Sequence, residues 1–159
     1  SPRKDNIALY TGNDDNIVAD LIAIYKFTVN GKEEEVQFKG GLLGHWAVWT
    51  SKAVELLTLV KDFKAKPTIA KWEQLQVLNN QTTDVNAALF DVANDFHGCI
   101  PGIHEILVRQ GLMKGIWCLN PNEVLSKGQY EELTRVYADY PNLNDDSFVK
   151  DFLKKYINH

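Results

Sequence analysis

The pattern of apolar positions changes period along the chain. Ile7, Ala8, Leu9 and Tyr10 form an unbroken apolar run that stops at Thr11-Gly12, the signature of a buried strand. Asn13, Asp14 and Asp15 are cap-type residues. Ile17, Val18, Leu21, Ile22, Ile24 and Tyr25 then predict a helix starting near Asn16. Phe27-Thr28-Val29 and Val36-Gln37-Phe38 read as strand pieces flanking Asn30-Gly31. Asn-Gly favours a tight hairpin, but Lys32 and three glutamates follow it, which predicts a longer loop. A further helix is predicted from about Ala47, with Trp49, Ala53, Leu56, Leu57 and Val60 at helical spacing. Trp46 and Trp49, three apart, share a face expected to be core.

Beyond this point only the helical period remains. Pro67 suits a first helical turn, and Trp72, Leu75 and Leu78 lead into residues 86–93. Gly98 and Pro101 break that run. Ile103, Ile106, Leu107 and Leu112 predict a short helix closed by Gly111. Ser126 is the expected N-cap of a helix carrying Tyr130, Leu133, Val136 and Tyr137, stopped by Pro141. Asp145 and Asp146 are expected to cap a last helix with Phe148, Phe152 and Tyr156 as its apolar positions. The chain divides on this pattern into a strand-bearing part, residues 1–66, and a helical extension, residues 67–159.

The strand-bearing part cannot cover its own faces, because two isolated strands are marginal in water. Strands without polar alternation are covered on both sides, and parallel strands linked by a helix belong to a larger α/β sheet or barrel. The expected partners are further strands of a larger protein or another copy of the chain, making a homo-oligomer.

Composition narrows the chemistry. The 159 residues are 45% hydrophobic and 24% charged, as in globular domains. A net charge of −4 and no apolar run of spanning length give no reason to expect nucleic-acid or membrane binding. Cys99 and Cys118 make no CxxC or Cys/His ligand spacing, which reads as reduced thiols in a cytoplasmic protein. His97 and His104 flank Pro101 without a third ligand, so neither metal nor cofactor is expected. "GKEEE" after the hairpin is not a phosphate-binding loop.

The order of strand, "TGNDD", helix, strand, "GGLLG" and helices resembles the C-terminal part of the dihydrodipicolinate synthase and N-acetylneuraminate lyase family, in particular a divergent bacterial dihydrodipicolinate synthase-like branch. "YTGNDD" is similar to the family's Gly-Asp-Asp turn after the seventh barrel strand. "VQFKGGLLGHW" stands where the eighth strand and its turn would lie. "GCIPGIHEILVRQGL" and "LNPNEVLSKGQYEELTRVYADY" resemble the closing helices. The resemblance implies an α/β fold: the last strands of a (β/α)8 TIM barrel, two βα units over residues 1–66, with a helical C-terminal extension, the isolated chain being mostly helical. It also implies a class I aldolase or lyase that binds a 2-oxo acid such as pyruvate as a Schiff base. The family's catalytic lysine and tyrosine lie on earlier strands, so no catalytic residue is assigned here, and this chain alone is expected to lack the covalent chemistry. Lys39 reads as a surface lysine.

For the substrate, the resemblance implies Gly12, Asn13 and Asp14 at the C-terminal rim, with Gly40, Gly41, Leu42 and His45 around the pocket floor. Asn13 stands where the family often has an acid. Each residue has a plainer reading: Asp14 or Asp15 as a helix cap, the glycines as strand–helix packing, and His45 as a structural hydrogen-bonder. An alternative for the whole chain is a non-catalytic helical interaction module derived from such a barrel.

Overall fold

The computed structural model describes residue 3, residues 6–42 and residues 46–157. The fold is mixed α/β, with two small sheets and no closed barrel among the described residues. Strand β1 (Tyr10–Thr11) leads to α1 (Ile17–Ile22), the hairpin β2 (Tyr25–Val29) and β3 (Lys32–Val36), and then β4 (Gly40–Gly41). Five helices follow: α2 (Thr50–Ala65), α3 (Ile69–Phe90), α4 (Cys99–Arg109), α5 (Gln129–Asp139) and α6 (Asp146–Tyr156). No helix among the described residues is long and apolar enough to cross a membrane.

β1 and β4 pair in parallel, Tyr10 opposite Gly40 and Thr11 opposite Gly41. Lys39 N donates to Leu9 O and Leu42 N to Thr11 O, both at 2.8 Å. The first strand is nevertheless not the buried one the apolar run predicts. Ile7, Leu9 and Tyr10 are exposed, because among the described residues no further strand or helix layer covers that side of the two-residue parallel pair.

The hairpin also departs from expectation. Val29 pairs with Lys32 across a two-residue turn, with Asn30 at φ 50° and Gly31 at φ 77°. Positive φ at both positions gives the turn whose twist matches a tight hairpin. The glutamates are therefore strand residues rather than loop. Glu33 and Glu35 share one face of β3, and Lys26 bridges them at 3.3 Å each. All five residues of β2 are exposed.

The helices follow the predicted periods with shifted ends. α1 stops at Ile22, and Tyr25 belongs to β2. α2 starts three residues later than expected, behind Trp49 in the left-handed region at φ 52°. Pro67 lies outside α3: the cap is Thr68, whose Oγ1 accepts from Lys71 N at 3.3 Å. Pro101 falls in the first turn of α4 rather than between helices, and Gly111 ends that helix at φ +76°. Ser126 does not cap α5. Gly128, at φ 87°, holds that place, and Ser126 Oγ donates to Asp91 Oδ2 instead. Asp145 precedes α6, but its carboxylate accepts from Ser51 N at 3.0 Å and Gln110 Nε2 at 2.7 Å rather than capping its own helix.

Two apolar cores result, each drawing on both sides of residue 66. The first joins Ile17, Val18 and Leu21 of α1 to Leu56 and Val60 of α2 and Leu75 of α3. The second joins Val48 and Trp49 to Val85 and Leu89 of α3, Ile106 of α4, and Leu133 and Val136 of α5. Trp49 is buried, its ring edge-on to Tyr137 at 5.1 Å. Trp72, Leu112 and Tyr130, expected to be apolar contacts, are exposed. So is the predicted apolar row of α6: Phe148, Phe152 and Tyr156 are 59%, 42% and 59% exposed, while Val149 seats the helix.

Candidate functional site

The loops after β1 and β4 leave the same end of a parallel pair, joined where Leu42 N meets Thr11 O. This brings Thr11 and Gly12 beside Gly41 and Leu42, while Asn13 turns back to Asp20 and the Asp14 carbonyl meets Asn86 of α3. Gly12, Asn13 and Leu42 are exposed, Asp14 is half-buried and Gly40 is buried. His45 lies outside the described residues, as do Leu43 and Gly44. Lys39 is exposed and precedes β4, at the opposite end from these loops.

The residues around β1 organise the first loop locally. Thr11, 4% exposed, donates its hydroxyl to Asp20 Oδ2 at 2.8 Å and accepts from Asn13 N at 3.2 Å. Asn13 Nδ2 and Tyr25 Oη reach the same Asp20 carboxylate, each at 3.2 Å. Asp20 thus ties β1, the turn, α1 and the start of β2 to one anion.

Helix α3 holds the turn from behind. Asn79 Oδ1 accepts from Ala19 N and its Nδ2 donates to Asn16 Oδ1, both at 3.0 Å. Thr83 Oγ1 donates to Asp15 O at 2.7 Å, and Asn86 Nδ2 to Asp14 O at 2.9 Å. Neither Asp14 nor Asp15 caps α1. Asn16 occupies the cap position without capping the helix through its side chain, and the amide a cap would serve is taken by Asn79, 60 residues away.

The seam is not fully satisfied. Asp14 Oδ1, Thr82 Oγ1 and Asn86 Oδ1 are buried with no hydrogen-bond partner among the described residues. Burial, and then the neighbouring Asp15 charge, hold the Asp14 carboxyl above the usual carboxylate range.

The glycines of β4 lie against neighbouring side chains. A Cβ on Gly40 would lie 2.7 Å from the Tyr10 ring, and one on Gly41 would lie 2.9 Å from Ile17 Cδ1 and 3.3 Å from Trp46 Cζ3. Neither has positive φ. Their missing side chains leave room for the Tyr10 ring and for Ile17 and Trp46.

Other reactive groups lie elsewhere. Cys118 Sγ is 3.8 Å from His104 Nδ1, and desolvation followed by Glu123 pushes its thiol up, away from thiolate chemistry. No group of three or more His, Cys, Asp and Glu among the described residues is arranged to hold a metal ion. A cleft of about 620 Å³ runs between α3 and α5 past Asp84, Asp91 and Lys127. Its Arg135 is bound bidentately by Asp84 at 2.8 and 2.9 Å.

Asn79, Thr83, Asn86 and Asp20 were not singled out by sequence reasoning. A signal exists: Leu75, Asn79, Thr82, Asn86 and Leu89 follow a four-three-four-three spacing, so three polar residues interrupt one buried stripe. Comparison with known protein families, characterised proteins and solved structures finds no match to this chain.

Proposed function

We propose that this chain forms the C-terminal portion of a class I aldolase or lyase acting on a 2-oxo acid such as pyruvate, with the Schiff-base lysine and the proton-shuttling tyrosine on preceding strands of the same barrel. The observation that carries this reading is the parallel pairing of β1 and β4, which sets the start of the "TGNDD" turn beside Gly41-Leu42 at the strands' C-terminal ends. Barrel enzymes bind substrate at that end. The two-stranded sheet supports it as well, since β1 pairs with β4 alone among the described residues and the exposed Ile7, Leu9 and Tyr10 call for a covering layer. In this reading Asn13 and Asp14 meet the distal part of the substrate, and the backbone of residues 40–42 forms part of the pocket floor. The protein works in the cytoplasm.

Trapping tests it. The 159-residue chain and a polypeptide extended upstream by the rest of the gene are each treated with pyruvate and borohydride. The extended protein is expected to gain a pyruvyl label on a lysine outside this chain, and the short chain none. A label on Lys39, or none on the extended protein, overturns the assignment.

A further inference from the structure

The seam between α3 and the turn after β1 holds three buried oxygens without a partner. Asp14 Oδ1, Thr82 Oγ1 and Asn86 Oδ1 make no hydrogen bond among the described residues. A buried acceptor left unpaired is costly, and three in one seam call for an explanation. The bonds of α3 fix their neighbourhood. Residues 14–16 run antiparallel to the helix: Asn79 holds Asn16, Thr83 holds Asp15 and Asn86 holds Asp14. The Asn86 amide therefore faces residue 14, with Nδ2 on the Asp14 carbonyl at 2.9 Å and Oδ1 left over. Thr82 stands one turn before Asn86, and side chains at that spacing have Cβ atoms about 5–6 Å apart. Thr82 and Asn86 are 0% and 1% exposed, so both project into the seam rather than into solvent.

The donor set selects the occupant. A carboxylate, a hydroxyl and an amide carbonyl all offer oxygen lone pairs, and the one hydroxyl proton can serve only one of the other two. The charge is uncompensated as well. Asp15 adds its charge beside Asp14, and neither has an ion-pair partner among the described residues. Charges taken out of water are paired or coordinate a metal, which favours a cation here over a neutral water. Oxygens sharing a cation of calcium's size sit about 2.3–2.6 Å from it, and so up to about 5 Å from one another, a span that Thr82 and Asn86 can close. Affinity for a divalent ion follows the number of charged ligands, and one carboxylate with two neutral oxygens suits a single positive charge.

We propose that this seam is a site for an alkali cation, sodium or potassium, held by Asp14 Oδ1, Thr82 Oγ1 and Asn86 Oδ1. The inference goes beyond the aldolase reading and does not rest on it: the cation is read by stability and the aldolase by trapping on a lysine, so the two fail separately.

Urea unfolding of the 159-residue chain at one ionic strength, in the chlorides of tetramethylammonium, sodium and potassium, tests it. The wild type is expected to gain stability in sodium or potassium, with a gain that saturates and differs between the two ions. Tetramethylammonium is too large to enter. Thr82→Val and Asp14→Asn keep the shapes of the side chains they replace. Each should raise the concentration of the favoured ion needed for half the gain by about tenfold or more. The order of stability should also cross. In tetramethylammonium Thr82→Val is expected to be the more stable protein, as an unpartnered hydroxyl requires, and in the favoured ion the wild type should overtake it. Equal wild-type stability in the three salts overturns the proposal and leaves a buried water or a protonated Asp14 to satisfy the seam. A gain that survives intact in either variant overturns it too, since the ion then binds elsewhere.

Discussion

Helix α3 holds two partners by opposite means. Toward α4 and α5 it presents Val85 and Leu89, both fully buried against Ile106, Leu133 and Val136. Toward the turn after β1 it presents Asn79, Thr83 and Asn86, which hold main-chain groups of residues 14–19 and the Asn16 side chain. Apolar burial is non-directional and contributes about 1.5–3 kcal/mol for each large side chain. A hydrogen bond contributes a net of about 0.5–1.5 kcal/mol, but it fixes where its partner sits. The first region is built for stability and the second for position, and the second is the one that carries Gly12, Asn13 and Asp14.

The comparison breaks most visibly at Leu89. Leu89→Ala leaves a cavity in a fully buried site, expected to cost about 2–5 kcal/mol and lower the thermal midpoint by roughly 10 °C. Hydrogen exchange should then quicken through α3, α4 and α5 together. Asn79→Ala is expected to cost less, about 1–3 kcal/mol, because it strands the Ala19 amide and the Asn16 side chain. Its effect should be concentrated in the amides of α1. If protection fell equally in α1 and α5, the seam would be stability like any other and the contrast would fail.

Thr82 sharpens the same contrast with the opposite sign. It is fully buried and its hydroxyl has no partner among the described residues. Thr82→Val keeps the shape and removes the unsatisfied oxygen, so it is expected to stabilise by about 1 kcal/mol. Urea unfolding measures it. A loss of stability would show that the hydroxyl is engaged and that the seam is better satisfied than the distances indicate.

Sequence reading reached the two regions unequally, for physical reasons. The apolar stripes of α2, α4 and α5 are local, periodic signals, and Ala53, Leu56, Val60, Ile106, Leu133 and Val136 are buried as expected. The turn after β1 was found as a turn, but its support was not. Asn79 and Asn86 act on residues 60 and 72 positions away, and their mark in the sequence is a gap in a helix stripe rather than a motif. Exposure misled in two places. An apolar run predicts burial only when something covers it, and neither the run at residues 7–10 nor the Phe148 row has that cover within the described chain. At the hairpin, the short-range Asn-Gly signal was the right one, and the charged residues after it were misread as loop because β3 is solvent-exposed.

The smallest expected effects are in pH dependence, where the two regions should differ in sign. Asp84 joins α3 to α5. Its hydrogen bonds from Arg135, helped by Tyr140 at 2.7 Å, hold its carboxyl below the usual range against the opposing effect of burial. A carboxyl depressed on folding contributes stability that is present above its unfolded value, about pH 4, and is lost as pH falls through the folded value. The pair is about a third exposed on both sides, so solvent screening limits it to roughly 1 kcal/mol or less. Asp14 in the seam is shifted the other way by burial and Asp15. A carboxyl raised on folding stabilises most below about pH 4, and that contribution is lost as pH rises through the folded value. Asp84→Asn should therefore be less stable than wild type at pH 7, with the gap closing in strong acid. Asp14→Asn should be the more stable protein at pH 7, with its gap closing as pH falls toward 4. Urea midpoints for the three proteins across pH 3–7 check both. Shifts of the same sign at pH 7 would mean that the Asp14 carboxylate is paired like Asp84, and the seam would lose its distinction from the core.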